Sequence, residues 1–305
     1  MADLDTADLR ILRAVAQRGS FTGAAAELGY TQSAISRRVA AMERAAGRTL
    51  FRRERVGAQL TEAGEVLLGH AGVALAALDA AARELEVLGQ RRAAPVRIGA
   101  FGSAAAGIVP QALATVALEH PGLTTTLREG TTAVTLRALR AGAIDLALVA
   151  STPPFGPVDA REPALVPEVL SERELMLAVG AGHRLAGRRT VRVEELVGER
   201  WIAARSEGEE RLLGVWPGLA GTPDLAYVAR DWLTKLRFVA SGAAITTIPG
   251  VLLPALPPGV QALRVVDGPR ERRRLLLVRA PTTTPSDAAI DAVAEALRRA
   301  ATAAP

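Results

Sequence analysis

The sequence predicts a mixed architecture: a small, mostly helical head, one long helix, and a larger α/β portion. Three observations carry it. Residues 5–46 hold short apolar-periodic runs stopped at Gly19 and Gly29, residues 61–89 form an alanine-rich helical run, and from Val96 onward strand-like runs alternate with helical ones. A chain of 305 residues is long enough for about two domains at roughly 100–200 residues each.

In the head, Leu9, Leu12 and Ala16 mark a first helix that ends at Gly19. Ser20 is placed to cap a second, containing Phe21, Ala24, Ala25 and Leu28; Gly29 stops it where a positive φ is wanted. Thr31 caps a third, with Ile35, Val39 and Met42 on one face. Two helices joined across about four residues, with small Ala25 at their crossing, describe a helix-turn-helix, whose second helix enters the DNA major groove. The stretch "TQSAISRR" then makes sense as a reading head. Gln32 can pair with an adenine edge, Thr31, Ser33 and Ser36 can meet bases or phosphates, and Arg37 and Arg38 can reach guanine or backbone oxygens. The competing reading is a capped, solvated helix start with ordinary surface charge.

The net charge of +5 suggests an anionic partner, and its distribution is more informative than its size. Between Arg37 and Arg55 stand seven arginines against Glu43 and Glu54, so this window alone holds an excess of +5. The segment "RRERVGAQL" reads as a two-stranded hairpin turning at Gly57, its Arg52, Arg53 and Arg55 facing phosphates or the minor groove. Residues 8–64 together resemble the winged helix-turn-helix of LysR-type transcriptional regulators, through Gly19-Ser20-Phe21, Ala24-Ala25, Leu28, Gln32-Ser33-Ala34, Ser36-Arg37, Glu43, Leu50-Phe51, Arg53, Leu60-Thr61 and Gly64.

Thr61 can cap the long helix, with Glu62 and Glu65 suiting its positive end. About 28 residues would span roughly 42 Å, more than the head alone requires. The resemblance implies that this linker pairs with a second copy to give a dimer, and leaves dimer or tetramer open because effector domains of the family commonly make a second contact; docking along its own effector domain is the alternative.

After "GQRRAAP", strands at "VRIGAF", "LTTTLREG" and "IDLALVAS" alternate with helices and indicate a parallel sheet. A proline-rich passage, 153–167, leads to a second group of elements. This part resembles the LysR-type effector domain, a periplasmic-binding-protein-like fold of two subdomains around a cleft, through "VRIGAFGS", "HPG", "AGAIDLALV" and "VASGAAITTIP". The expected boundaries are 1–60 for the head, 61–90 for the linker and 91–305 for the effector domain. Within the last, 95–164 with 268–305 form subdomain I and 165–267 subdomain II. Ligands of open α/β sheets sit beyond the strand carboxyl ends, which selects Gly102 and Ser103 on one turn and Thr131 and Thr132 on the next. The opposite wall is expected to offer Arg205, Ser206 and Thr246, followed by Thr247. Ser103 and Thr131 match effector-binding positions in the family; each could instead be a helix N-cap. With little arginine at the first wall, a neutral or singly anionic effector is expected.

The chain has no cysteine, so disulfide, thiolate and cysteine–metal chemistry is excluded, and His70, His120 and His183 are scattered. No metal or cofactor is expected. Neither a nucleophile elbow nor a phosphate-binding loop is present, which argues against an enzyme. No run of roughly 18 apolar residues appears and the start is acidic, so the reading is cytoplasmic with no membrane contact. The implied function is ligand-responsive DNA binding at a two-half-site operator, with RNA polymerase as a further partner such regulators can contact. The alternative is a cytoplasmic small-molecule-binding module or enzyme whose basic head binds DNA nonspecifically.

Overall fold

The computed structural model describes residues 4–54, 57–88, 95–156, 158, 165–205, 212–268, 271–279 and 288–303. Helices α1 (Thr6–Arg18), α2 (Phe21–Leu28) and α3 (Gln32–Ala46) precede a hairpin of β1 (Phe51–Glu54) and β2 (Gly57–Leu60). The helix boundaries follow local chemistry. Ser20 and Thr31 cap α2 and α3, their hydroxyls accepting from Gly23 N at 3.0 Å and Ala34 N at 3.2 Å. Gly29 ends α2 at φ +71°, a conformation costly for any residue with a Cβ. The expected α1 stripe shifts in phase: Ile11, Leu12 and Val15 are fully buried while Leu9 and Ala16 are only half-buried. Asp5 and Asp8 form a capping box that sets the start of this helix.

Ile35, Val39 and Met42 of α3 join Ala24, Ala25, Leu50 and Phe51 in the head's core. The hairpin is clasped to the head where Ala58 N donates to Gly19 O at 2.7 Å. Thr61 then caps α4 (Glu62–Leu88), accepting from Gly64 N and donating to Thr49 O at 2.6 Å. At 27 residues the helix is roughly 40 Å long.

The α/β domain follows as β3 (Val96–Ala100), α5 (Gly102–Gly107), α6 (Val109–Glu119), β4 (Thr125–Glu129), α7 (Thr132–Arg140) and β5 (Leu146–Ser151). Next come β6 (Val166–Gly180), β7 (Thr190–Arg192), β8 (Arg200–Arg205), β9 (Leu212–Leu213), β10 (Asp224–Val228), α8 (Trp232–Ala240), β11 (Thr246–Pro249), β12 (Val260–Val266), β13 (Arg272–Arg279) and α9 (Ala288–Ala303). The main sheet has the order β4-β3-β5-β13-β6-β12-β7, with β11 also on β6. It is parallel from β4 to β5 and again between β12 and β7; β13 lies antiparallel between β5 and β6, and β12 antiparallel to β6, so the expected parallel sheet is mixed.

The 15-residue β6 joins the two halves. Its residues up to Glu174 pair with β13 and those from Leu175 pair with β11 and β12, so the subdomain change-over lies inside this strand rather than at 165. The returning α9 joins the core of β3 and β5, with Val293 and Leu297 in one cluster with Ile98 and Leu146.

Candidate functional site

The first turn of α3 projects from the head. Thr31 and Ser33 hydroxyls lie 3.1 Å apart, fixing each other, while Gln32 and Arg37 are exposed and Ser36 is half-buried. On the hairpin Arg52 is exposed. Glu43, the one described acid of the basic window, is drawn away: its Oε1 accepts from Leu50 N at 2.8 Å and Phe51 N at 3.2 Å, tying α3 to the hairpin base. Arg38, expected at the DNA, is engaged within the head. Its guanidinium pairs with Asp5 and Asp8 of α1, each at 3.3 Å, and so braces α3 against the first helix. The side chain of Arg53, the whole of Arg55, and Ser206 lie outside the described residues, as does the side chain of Arg205.

The expected effector wall is formed by α5 and α7. Ser103 is buried inside the first turn of α5, whose N-cap is Phe101, so the hydroxyl is not a cap. It makes no hydrogen bond among the described residues. Thr131 does cap α7, accepting from Val134 N at 3.3 Å, which leaves its hydroxyl proton available; Thr132 accepts from Ala150 N at 3.2 Å. Gly102 is needed for closeness: a methyl there would stand 2.8 Å from a Glu129 carboxylate oxygen and 3.4 Å from Trp232 Cδ1. The two walls therefore meet at Gly102 and Trp232.

On the second wall, Thr246 is corrected. It is wholly buried and donates to Ile202 O at 2.8 Å and Gly214 O at 3.3 Å, stitching β11 to β8. Thr247, on the other face of the strand, is a buried residue whose hydroxyl makes no hydrogen bond among the described residues. Sequence reasoning missed Trp232, Lys235 and Glu129. Lys235, the only lysine, is buried with its Nζ 4.8 Å from the Trp232 ring centroid. Burial pushes its ammonium down to about 8, partly opposed by Asp231. A lone lysine one turn after an Asp cap was the available signal. No group of three or more metal-capable side chains occurs among the described residues, and no helix there is long and apolar enough to cross a membrane.

The family model for the bacterial regulatory helix-turn-helix protein, lysR family, matches residues 6–65, and that for the LysR substrate binding domain matches residues 89–302. The chain belongs to the LysR-type transcriptional regulators. It is a ligand-responsive DNA-binding regulator and not an enzyme. This LysR-type regulator is 32% identical over 282 residues to a probable hydrogen peroxide-inducible genes activator of Mycobacterium avium, covering 89% of the chain and 86% of the relative. It is 27% identical over 273 residues to a probable HTH-type transcriptional regulator, LrrA, of Synechococcus elongatus, with 85% of each covered. Among solved structures, a full-length OxyR variant from Pseudomonas aeruginosa superimposes with a TM-score of 0.63 at 18% identity, covering 100% of this chain and 96% of that one. A Corynebacterium glutamicum OxyR mutant with bound H2O2 gives 0.53 at 25% identity with the same coverage.

Proposed function

We propose that this regulator works in the cytoplasm as a dimer on two operator half-sites spaced by one helical turn, about 10 bp, or a multiple of it. The observation that carries this is the first turn of α3, where Gln32 and Arg37 stand exposed beside a mutually fixed Thr31–Ser33 pair. Gln32 reads a base edge; Arg37 reads guanine or joins Arg52 and Arg53 at phosphates. Exposed Val66 and Leu78 on α4 suit pairing of two linker helices, with a tetramer and an RNA polymerase contact as further layers.

The effector sits between the Ser103–Thr131 wall and the Trp232–Lys235 wall. One buried lysine and one nearby glutamate favour a neutral or singly anionic molecule, with any carboxylate toward Lys235. Peroxide sensing through a thiol is unavailable to a chain without cysteine, whatever its relatives respond to. Such a ligand shifts the arrangement on DNA only by its difference in affinity between arrangements.

The test is a footprint and titration on DNA upstream of the chain's own gene, at two salt concentrations, with random DNA alongside. Two protected half-sites bound tighter than random DNA by ~10³ or more support the reading. If no upstream or genomic fragment is preferred over random DNA, the reading fails.

A further inference from the structure

The head rests on the effector domain of its own chain at the end of α7. From α1, Arg13 Nη1 lies 3.4 Å from Ala141 O and 3.5 Å from Gly142 O. On α4, Gly72 comes so close that a methyl there would stand 1.2 Å from Arg140 O. Ala141 is counted in the head's own apolar core beside Leu68 and Ala71.

The contact is not filled. One turn beyond Arg13, Gln17 of α1, Arg128 of β4 and Arg137 of α7 line a cavity of about 60 Å³ together with Leu68, Ala138 and Ala141. The side chains there bring two guanidinium groups and an amide, and no carboxylate. Gln17 Nε2 is shut off from solvent with no hydrogen-bond partner, while Arg128 and Arg137 are exposed residues at the rim with no ion pair among the described residues. The neighbouring carboxylate, Glu129, follows the strand's alternation to the opposite face and approaches Gly102. Two arginines of like charge at the rim of one partly open void repel each other through water, and an anion between them would offset that repulsion.

We propose that this junction is an anion-binding site, occupied by a tetrahedral oxyanion of the phosphate or sulfate type held by Arg128, Arg137 and Gln17. The volume is far below the roughly 300–1,000 Å³ of pockets for drug-sized ligands, which limits the occupant to a small ion. Guanidinium forks pair with such oxyanions through parallel charge-assisted bonds, and the amide supplies a third donor. Since Gln17 belongs to the head and both arginines to the effector domain, the ion bridges the two and holds the head docked. The site is separate from the effector cleft and does not rest on that assignment.

Thermal unfolding of the full chain is followed while sodium chloride is exchanged for phosphate, and separately for sulfate, at constant ionic strength. Oxyanions also collect at the DNA-reading face, so Arg37→Ala/Arg52→Ala is the companion variant. The wild type and this companion should show a saturable rise in Tm with at least one of the two anions. Arg128→Gln/Arg137→Gln removes two charge-assisted pairs and should weaken the apparent affinity by at least ~tenfold, the size expected for losing even one of them at about 1.4 kcal/mol per decade. Arg137→Lys, which keeps the charge and the helix, should show a smaller loss if the double variant folds poorly. Gln17→Leu, acting from the other domain, should also weaken the response. An unchanged response in the junction variants, loss in the companion instead, or no saturable response to either anion in the wild type would overturn the proposal.

Discussion

Gly72→Ala sets two effects of opposite sign against each other. In an exposed helix interior the change stabilises by about 1 kcal/mol, because alanine restricts the unfolded backbone. Here the added methyl would stand 1.2 Å from Arg140 O, 2.3 Å from Arg140 C and 3.0 Å from Ala141 Cα. The nearest atoms are backbone and cannot swing aside, so restoring ordinary contact requires α4 and α7 to part by roughly 2 Å. Overpacking of this kind costs roughly 1–3 kcal/mol. The net expectation runs from neutral to about 2 kcal/mol destabilising, accompanied by release of the head and loss of the Arg13 contacts. Urea unfolding measures the first quantity and small-angle scattering the second, as an increased radius of gyration. A variant about 1 kcal/mol more stable than wild type with an unchanged scattering curve would refute the argument, because α4 would then stand clear of α7.

Four other outcomes are expected. Lys235→Met should raise stability at pH 7 and remove a pH dependence: with the folded ammonium near 8 against an ordinary 10.5, the unfolded chain binds more protons between these values, so wild-type stability climbs through that window by up to ~3 kcal/mol. Urea midpoints at pH 7 and 10 should therefore differ in the wild type and much less in the variant. Gln32→Ala should cost roughly 1–3 kcal/mol at the operator and little on random DNA; equal losses in titrations of both would exclude direct readout. Arg52→Ala should weaken binding to all sequences alike and lower the salt slope by about 1 in a salt titration; a changed sequence preference would make it a base reader. Ser103→Leu should abolish the ligand response while operator affinity is retained, as read by gel shift with and without effector.

The head was legible because its signals are local. Ser20, Thr31 and Thr61 cap helices within three residues of themselves, and Gly29 stops one by its own backbone conformation. The failures are contacts across the chain. Nothing near Arg38 announces that Asp5, 33 positions earlier, will claim it, nor that Thr246 will donate to Ile202, 44 positions away. The change-over inside β6 was hidden for a related reason. In its charged stretch Glu168–Glu174, Glu172 pairs with Arg272 and Arg274 on β13 and Glu168 with Arg298 on α9. Strand pairing at that distance fixes which half of the domain the residues serve.

One short helix links the proposed effector wall to the proposed oxyanion junction. Helix α7 begins at Thr131, on the cleft wall, and ends at Arg140 against Gly72 of the linker, nine residues or roughly 13 Å away. Its middle is packed into the domain through Leu136 and Leu139, so it moves as a rigid element or not at all. An effector at Thr131 thus has a mechanical route to the head, and the size of the response is bounded. If docked and released forms differ tenfold in effector affinity, the balance between them moves tenfold at saturation and no further. An oxyanion at the junction acts on the same equilibrium from the other end, so effector and oxyanion should alter each other's affinity by equal factors.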